Sequence, residues 1–200
     1  MRSRLSTARR ATMAARSILV PIIALVALAL ADSAATAGER RYAVQTEASD
    51  LGFRATSRFM NADGRFHRFR GEVTVDPQDL ATARISLSIE AASIDTGIGL
   101  RDSHLRSADF FDVERFPTVT FESLRVEAAG RRATVTGRLT LRGVVREIAV
   151  PVDVAVSDVA LVASGELVMN RRDYGLDYNS SLNPIGNEVR VSFTIRARAS

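Results

Sequence analysis

Val189-Arg190-Val191-Ser192-Phe193-Thr194-Ile195-Arg196-Ala197 decides the fold class. Successive side chains of an extended chain point to opposite faces, so Val189, Val191, Phe193, Ile195 and Ala197 share one side while Arg190, Ser192, Thr194 and Arg196 share the other. The segment predicts a strand with one apolar and one wet face. The same period recurs upstream. Ile85, Leu87 and Ile89 alternate with Arg84, Ser86, Ser88 and Glu90, and Ile148, Val150, Val152, Val154 and Val156 line one face of another long strand. Val119 and Phe121 share a phase that Leu124 and Val126 break at Ser123, which predicts a bulge. After the turn Ala128-Ala129-Gly130-Arg131, the partner strand carries Val135, Gly137, Leu139 and Leu141 on one face. Further strands are expected near residues 40–46, 50–59, 65–75 and 160–169.

About eight half-apolar strands must each hide one face, and every open edge invites pairing with another chain. Closing the sheet into a barrel removes the edges, and a two-sheet sandwich satisfies the same alternation. Barrels of about eight strands have an interior that side chains can fill or that can hold one small ligand. Pro151 has no N–H for a ladder, so it is expected at a seam or bulge.

The N-terminal 37 residues read as a cleaved export signal. Arginines at 2, 4, 9, 10 and 16 precede the apolar run Ile18 to Ala31, and Ala35-Thr36-Ala37 supplies a small-residue cleavage site. That run is shorter than the roughly 20 residues a membrane-spanning helix needs, which disfavours an uncleaved anchor. Arg9-Arg10 matches a twin-arginine signal poorly, so Sec-type export to the periplasm is expected. Five of the 27 basic and one of the 23 acidic residues lie in this segment, leaving 22 of each in residues 38–200. The mature chain is therefore formally neutral, and the high pI does not argue for nucleic acid. With no cysteine, it relies on packing without disulfides.

Residues 40–199 carry an ordered set of motifs: Tyr42-Ala43-Val44, Gly64-Arg65-Phe66, Phe69-Arg70-Gly71, Val75-Asp76-Pro77 and Ser93-Ile94-Asp95-Thr96. Then come Arg101-Asp102-Ser103-His104-Leu105-Arg106-Ser107-Ala108-Asp109-Phe110-Phe111 and Phe116-Pro117-Thr118-Val119-Thr120-Phe121. Gly137-Arg138-Leu139-Thr140-Leu141-Arg142-Gly143-Val144, Arg172-Asp173-Tyr174-Gly175 and Ile185-Gly186-Asn187-Glu188-Val189 complete it. The set resembles the YceI family of periplasmic, lipocalin-like, polyisoprenoid-binding proteins. One departure is Glu47-Ala48-Ser49-Asp50, where family members commonly carry Asp-x-x-His-Ser. The resemblance implies an all-β fold, a closed antiparallel lipocalin-like barrel of about eight strands with a short helical insert. It also implies a carrier for an elongated apolar lipid such as a polyisoprenoid, quinone or fatty amide. A ligand-free accessory scaffold, or a quinone-delivery partner of a membrane cytochrome, is the alternative, and family members often form homodimers.

The expected ligand-lining residues are Phe53, Phe66, Ile85, Leu87, Ile89, Phe121, Val152, Val154, Phe193 and Ile195, each of which could instead fill a core. Arg101, Asp102 and His104 are candidates for a polar head group at the mouth. The competing reading has Asp102 and Asp109 cap local turns while Leu105, Phe110, Phe111 and Phe116 plug one barrel end. Arg172-Asp173-Tyr174 offers a second polar cluster or an ion pair closing a turn. Catalysis is not expected and no cofactor is implied. His67 and His104 are the only histidines, a zinc site would need both plus an acid such as Asp102, and no G-x-S-x-G occurs. Asn179-Ser180-Ser181 fits a glycosylation sequon but reads as a polar loop behind an export signal.

Overall fold

Period-two alternation produces eleven strands in the computed structural model, which describes residues 38–200. The expected signal segment, 1–37, lies outside the described residues. In chain order the strands are β1 (Arg40–Val44), β2 (Asp50–Ser57), β3 (Ala62–Phe66), β4 (Phe69–Asp76), β5 (Asp79–Glu90) and β6 (Ile94–Asp95). The helix α1 (Gly99–Arg106) follows, then β7 (Thr118–Ala129), β8 (Arg132–Leu141), β9 (Val144–Val156), β10 (Ala160–Asn170) and β11 (Ile185–Ala199). Eight of them form the wall in the order β1-β4-β5-β7-β8-β9-β10-β11, and β11 returns to β1 through Val44↔Ala197 and Tyr42↔Ala199. That last antiparallel ladder closes the barrel and excludes the sandwich. The lipocalin-like barrel with a short helical insert is the expected fold.

Three neighbouring wall positions break at one level. Between β1 and β2 a 3-10 turn at Thr46–Ala48 interrupts the chain, and Thr46 Oγ1 donates to the Phe69 carbonyl at 2.5 Å. His67 and Arg68 separate β3 from β4, so the strand expected over 65–75 is two. Between β5 and β6 the turn Ala91–Ser93 is held by Ser93 Oγ on the Glu90 carbonyl, 2.7 Å, and by the His67 N–H on the Ser93 carbonyl, 3.3 Å. Beyond these breaks β2, β3 and β6 continue the wall as a three-stranded flap, paired to the first part of β11.

Two irregularities follow the sequence. Ser123 pairs with Gly137 and Arg125 with Thr136, so Leu124 is the extra residue of a bulge in β7. Pro151 marks a seam. Val154 donates its N–H to the Arg131 carbonyl at 2.7 Å, so the even-numbered residues of β9 bond to β8 and the odd-numbered ones face β10. Continuing the register sets Pro151 opposite Glu166 with no N–H to give. The β9–β10 ladder runs from Leu161↔Val156 to Gly165↔Val152 and stops there.

The two barrel ends differ. At the end holding the β4–β5, β7–β8 and β9–β10 turns, Tyr42, Val73, Val75, Leu161 and Ala197 pack into a sealed cluster. The Tyr42 hydroxyl donates to the Ser157 carbonyl at 2.7 Å and ties β1 to the β9–β10 turn. The other end is covered by α1, the segment 107–117 and the loop 171–184. Arg142, in the β8–β9 turn, holds the second of these to the last by donating to the carbonyls of Ala108, at 2.7 Å, and Gly175.

Candidate functional site

Between the two ends lies a cavity of about 590 Å³. Its wall is made by the inward residues of every barrel strand except the short β1, which contributes Val44 alone. Ile85, Leu87 and Ile89 line it from β5, Phe121 from β7, Val152 and Val154 from β9, and Phe193 and Ile195 from β11. Phe53 and Phe66 line it from the flap, their rings tilted by 47° with centroids 6.0 Å apart. All ten apolar residues expected to face a ligand therefore share one cavity. Most of them are only half-buried, because their free faces look onto open space. Ile89 and Val152 are the buried exceptions.

Inward glycines explain why these phenylalanines do not fill the barrel. Phe53 pairs across the strands with Gly64 and Phe193 with Gly165, and Phe121 lies over Gly137. A Cβ would meet the Phe53 ring at 2.6 Å from Gly64 and the Phe193 ring at 2.8 Å from Gly165. Each ring lies flat against the wall in the space where a neighbour's side chain would stand. The hollow results from residue placement, since three phenylalanines standing into the lumen would occupy much of it.

Polar groups gather at one end of this lumen, where Ser57, Arg101, His104, Ser180 and Asn183 line the mouth. Arg101 donates to Thr96 Oγ1 at 2.7 Å, to the Thr96 carbonyl at 3.0 Å and to the Asn61 carbonyl at 3.4 Å, linking α1 to the β2–β3 hairpin. His104 Nε2 lies 2.8 Å from Asp109 Oδ2, and its ring meets Phe110 and Tyr178 edge-on at 5.0 and 4.7 Å. Asp102 stands apart from its two expected companions. It does not line the cavity but is buried, accepting from the Thr96 N–H at 2.9 Å and Thr96 Oγ1 at 2.5 Å. It fastens the approach to α1 and does not cap that helix, whose N-cap Ile98 makes no side-chain bond. Asp109 likewise engages His104 and caps nothing. Leu105, Phe110 and Phe111 do form the plug, with Tyr174 and Leu176, whereas Phe116 covers Gly143 outside it.

Sequence reasoning missed the most constrained polar group. Arg171, beside the cluster expected at 172–174, is only 5% exposed and lines the cavity. It donates to the carbonyls of Gly186 (2.9 Å), Tyr178 (2.9 Å), Ile185 (3.2 Å) and Leu176. Burial first, and Arg172 second, hold its guanidinium below the ordinary arginine value, while Asp177 acts the other way. The signal was available, since Leu161, Ala163, Gly165, Leu167 and Met169 set an inward phase that the next odd position continues. Asp173 and Tyr174 form no ion pair with Arg172; the turn is held by the Asn170 side chain, which accepts from the Arg172 N–H at 3.0 Å.

The two histidines are not brought together. His67 sits at the β3–β4 break with Asp95 Oδ2 at 3.0 Å, and His104 sits on α1. The segment Glu47–Asp50, where the family histidine is missing, contributes nothing to the cavity wall. Its Ser49 instead accepts from the Arg196 N–H at 2.9 Å, closing the break between β1 and β2.

Comparison with known proteins agrees with this architecture. A "UPF0312 protein" of Pseudomonas aeruginosa is 33% identical over 138 residues, covering 66% of this chain and 71% of its own length. The crystal structure of Burkholderia cenocepacia BcnA superimposes with a TM-score of 0.71 at 26% identity, over 76% of this chain and 98% of that one. A polyisoprenoid binding domain from Saccharophagus degradans shares the fold at a TM-score of 0.65 and 20% identity, over 80% and 98%. The YceI-like domain matches residues 42–197, from the first barrel strand to the last, and the chain belongs to that family.

Proposed function

We propose that this chain is an exported carrier that holds one elongated apolar lipid, a polyisoprenoid, quinone or fatty amide, along the barrel axis. The observation that carries the reading is the lumen itself. It is continuous and walled mainly by aliphatic and aromatic side chains, and its ionisable side chains, Arg101, His104 and Arg171, lie at the mouth end. Its volume falls in the range of about 300–1,000 Å³ typical of small-molecule sites. A tail that buries roughly 300 Å² of apolar surface gains about 7 kcal/mol at 25 cal/mol per Å², before the entropic cost of fixing it. Arg101 and His104 at the mouth suit a polar head, so the ligand's polarity and the cavity's run in the same direction. The polyisoprenoid-binding neighbour supports this assignment of ligand class.

Binding is the proposed activity: the lumen is apolar, and the two histidines lie in separate parts of the fold, His67 at the β3–β4 break and His104 on α1. The same lumen would serve a quinone-delivery partner of a membrane cytochrome. Native mass spectrometry of protein purified from the periplasm, followed by organic extraction, is the direct test. A stoichiometric isoprenoid, quinone or fatty species is expected, and Phe193→Asp should fold yet lose it. An empty protein that also refuses added polyprenyl and quinone ligands would overturn the proposal.

A further inference from the structure

The mouth of the lumen carries an apolar rim that the carrier reading does not use. Among the described residues nine large hydrophobic side chains are exposed, and five of them, Phe59, Met60, Ile98, Leu100 and Leu182, belong to the three segments around the mouth. Phe59 and Met60 form the tip of the β2–β3 hairpin, Leu182 lies in the 179–184 loop, and Ile98 and Leu100 begin α1. The remaining four are Leu124 on the β7 bulge, Val145 and Val168 on the outer wall, and Val159 in a turn at the sealed end.

Hydrogen bonds tie these three segments into one surface. The Phe59 N–H donates to Asn183 Oδ1 at 3.0 Å, and the Arg58 N–H to the Pro184 carbonyl at 3.1 Å. Asn183 Nδ2 donates to Ser57 Oγ at 3.1 Å. Arg101 bridges from α1 to the hairpin through the Asn61 carbonyl. Phe59, Leu100 and Leu182 are 71, 88 and 82% exposed, so most of their apolar surface meets water in the free protein. Clustered exposure of this kind marks an interaction surface, whereas scattered single residues do not.

The geometry points to a lipid bilayer as the occupant of this rim: Phe59, Leu100 and Leu182 enter its interface and set the mouth of the lumen against the hydrocarbon. This rests on the proposed carrier function. A long apolar tail is nearly insoluble in water, so it reaches the lumen from a membrane, and Met60 both lines the cavity and stands on the exposed rim. Apolar surface is thereby continuous from the outside of the molecule to its interior. Arg58, stacked over the Phe59 ring at 5.2 Å, and Arg101 set guanidinium groups beside the apolar tips. That is the arrangement of a protein lying in the headgroup region, with cations at phosphate depth and aromatic or aliphatic side chains below. Asp63, the acid of β3 nearest the rim, is bound by Arg54 at 2.5 Å.

The test uses the mature protein and vesicles of phosphatidylethanolamine and phosphatidylglycerol in a flotation assay. A triple variant, Phe59→Ser with Leu100→Ser and Leu182→Ser, removes three tips that do not line the cavity. Val159→Ser, at the sealed end, is the control. Wild type and the control should float, and the triple variant should bind on the order of ten-fold less. Each protein is also given a fluorescent prenylquinone dispersed in detergent, whose uptake needs no membrane. The triple variant should take it up as wild type does and should be slow only when the quinone is supplied in vesicles. Equal flotation of wild type and triple variant overturns the inference, as does failure of wild type to float while it takes up dispersed quinone. A wild-type dimer that the triple variant abolishes without any vesicle binding would assign the rim to a second copy and also overturn it. A protein that floats by its rim but refuses dispersed quinone keeps the docking surface and sinks the carrier reading instead.

Discussion

Tyr42, Val75, Leu161 and Ala197 at the sealed end are between 0 and 4% exposed, whereas Ile85, Phe193 and Ile195 on continuing strands are half-buried around open space. Both sets face inward and both are apolar. The sealed end is closed by a cluster around the buried Tyr42, anchored on the Ser157 carbonyl, and Val73, Val75 and Leu161 of that cluster form the floor of the cavity. The middle stays open because Gly64, Gly137 and Gly165, beneath the rings of Phe53, Phe121 and Phe193, let those rings lie along the wall. Inward apolar phase alone therefore does not distinguish a packed core from a binding cavity; what the inward residues face across the strands does.

The mouth represents a third arrangement, in which irregular backbone is fastened by a buried cation, and it offers the largest predicted effect. Arg171→Met keeps the apolar stem but leaves the carbonyls of Leu176, Tyr178, Ile185 and Gly186 without their donor. The expected loss is about 3–5 kcal/mol in urea unfolding. Arg171→Lys should recover little of it, since a compact ammonium cannot fork to four carbonyls. A loss below about 1 kcal/mol would show that the loop 176–186 holds itself.

The next effect contrasts the two inner regions directly. Leu161→Ala at the sealed end should cost about 2–4 kcal/mol, because this side chain, though it borders the floor of the lumen, is 4% exposed and packed against Tyr42, Val73, Val75 and Ala197. Ile85→Ala should cost only about 1 kcal/mol, because half of that side chain already faces open space, while the lumen it lines grows. Equal losses in parallel denaturation curves would mean that the cavity collapses around each truncation.

A smaller effect probes how the lumen is kept clear. At Gly137 an added methyl would collide with the Phe121 ring and the Glu122 carbonyl. Gly137→Ala should therefore push Phe121 into the lumen, at about 1–3 kcal/mol of stability, and reduce the amount of bound lipid. Retention of full lipid occupancy in native mass spectra would place the ring elsewhere.

Much of this was legible in the residues themselves. Alternation located the long strands, the phase break at Ser123 located the Leu124 bulge, and Pro151 located the seam, because each depends on local backbone chemistry. Ten apolar lining positions followed from phase. Closure of the sheet did not, since barrel and sandwich share one alternation and only the β11–β1 ladder separates them. The break at His67 and Arg68 was also hidden. It depends on the 3-10 turn at Ala91–Ser93 in the neighbouring strand, a contact 25 residues away. Asp102 and Asp109 looked like caps, because short acids favour helix starts. In the fold, Thr96 and His104 offered them closer partners.

The smallest effect tests the seal. Tyr42→Phe keeps the ring and removes only its hydrogen bond to Ser157, so the cost at neutral pH should be about 1 kcal/mol. The alkaline side is more diagnostic. Burial, opposed by Arg40 and aided by Asp158 and Asp76, raises the Tyr42 phenol above its ordinary value of 10.0, and burial raises Tyr174 likewise. A phenol whose folded pKa is raised holds its proton more tightly in the native state. Its contribution is fully present below pH 10 and is lost as the pH climbs through the folded value. Wild type should therefore lose stability steeply above pH 10, and Tyr42→Phe should flatten that limb while leaving the part due to Tyr174. Superimposable alkaline limbs for the two proteins would mean that the Tyr42 phenol ionises without opening the sealed end, and that apolar packing alone keeps it shut.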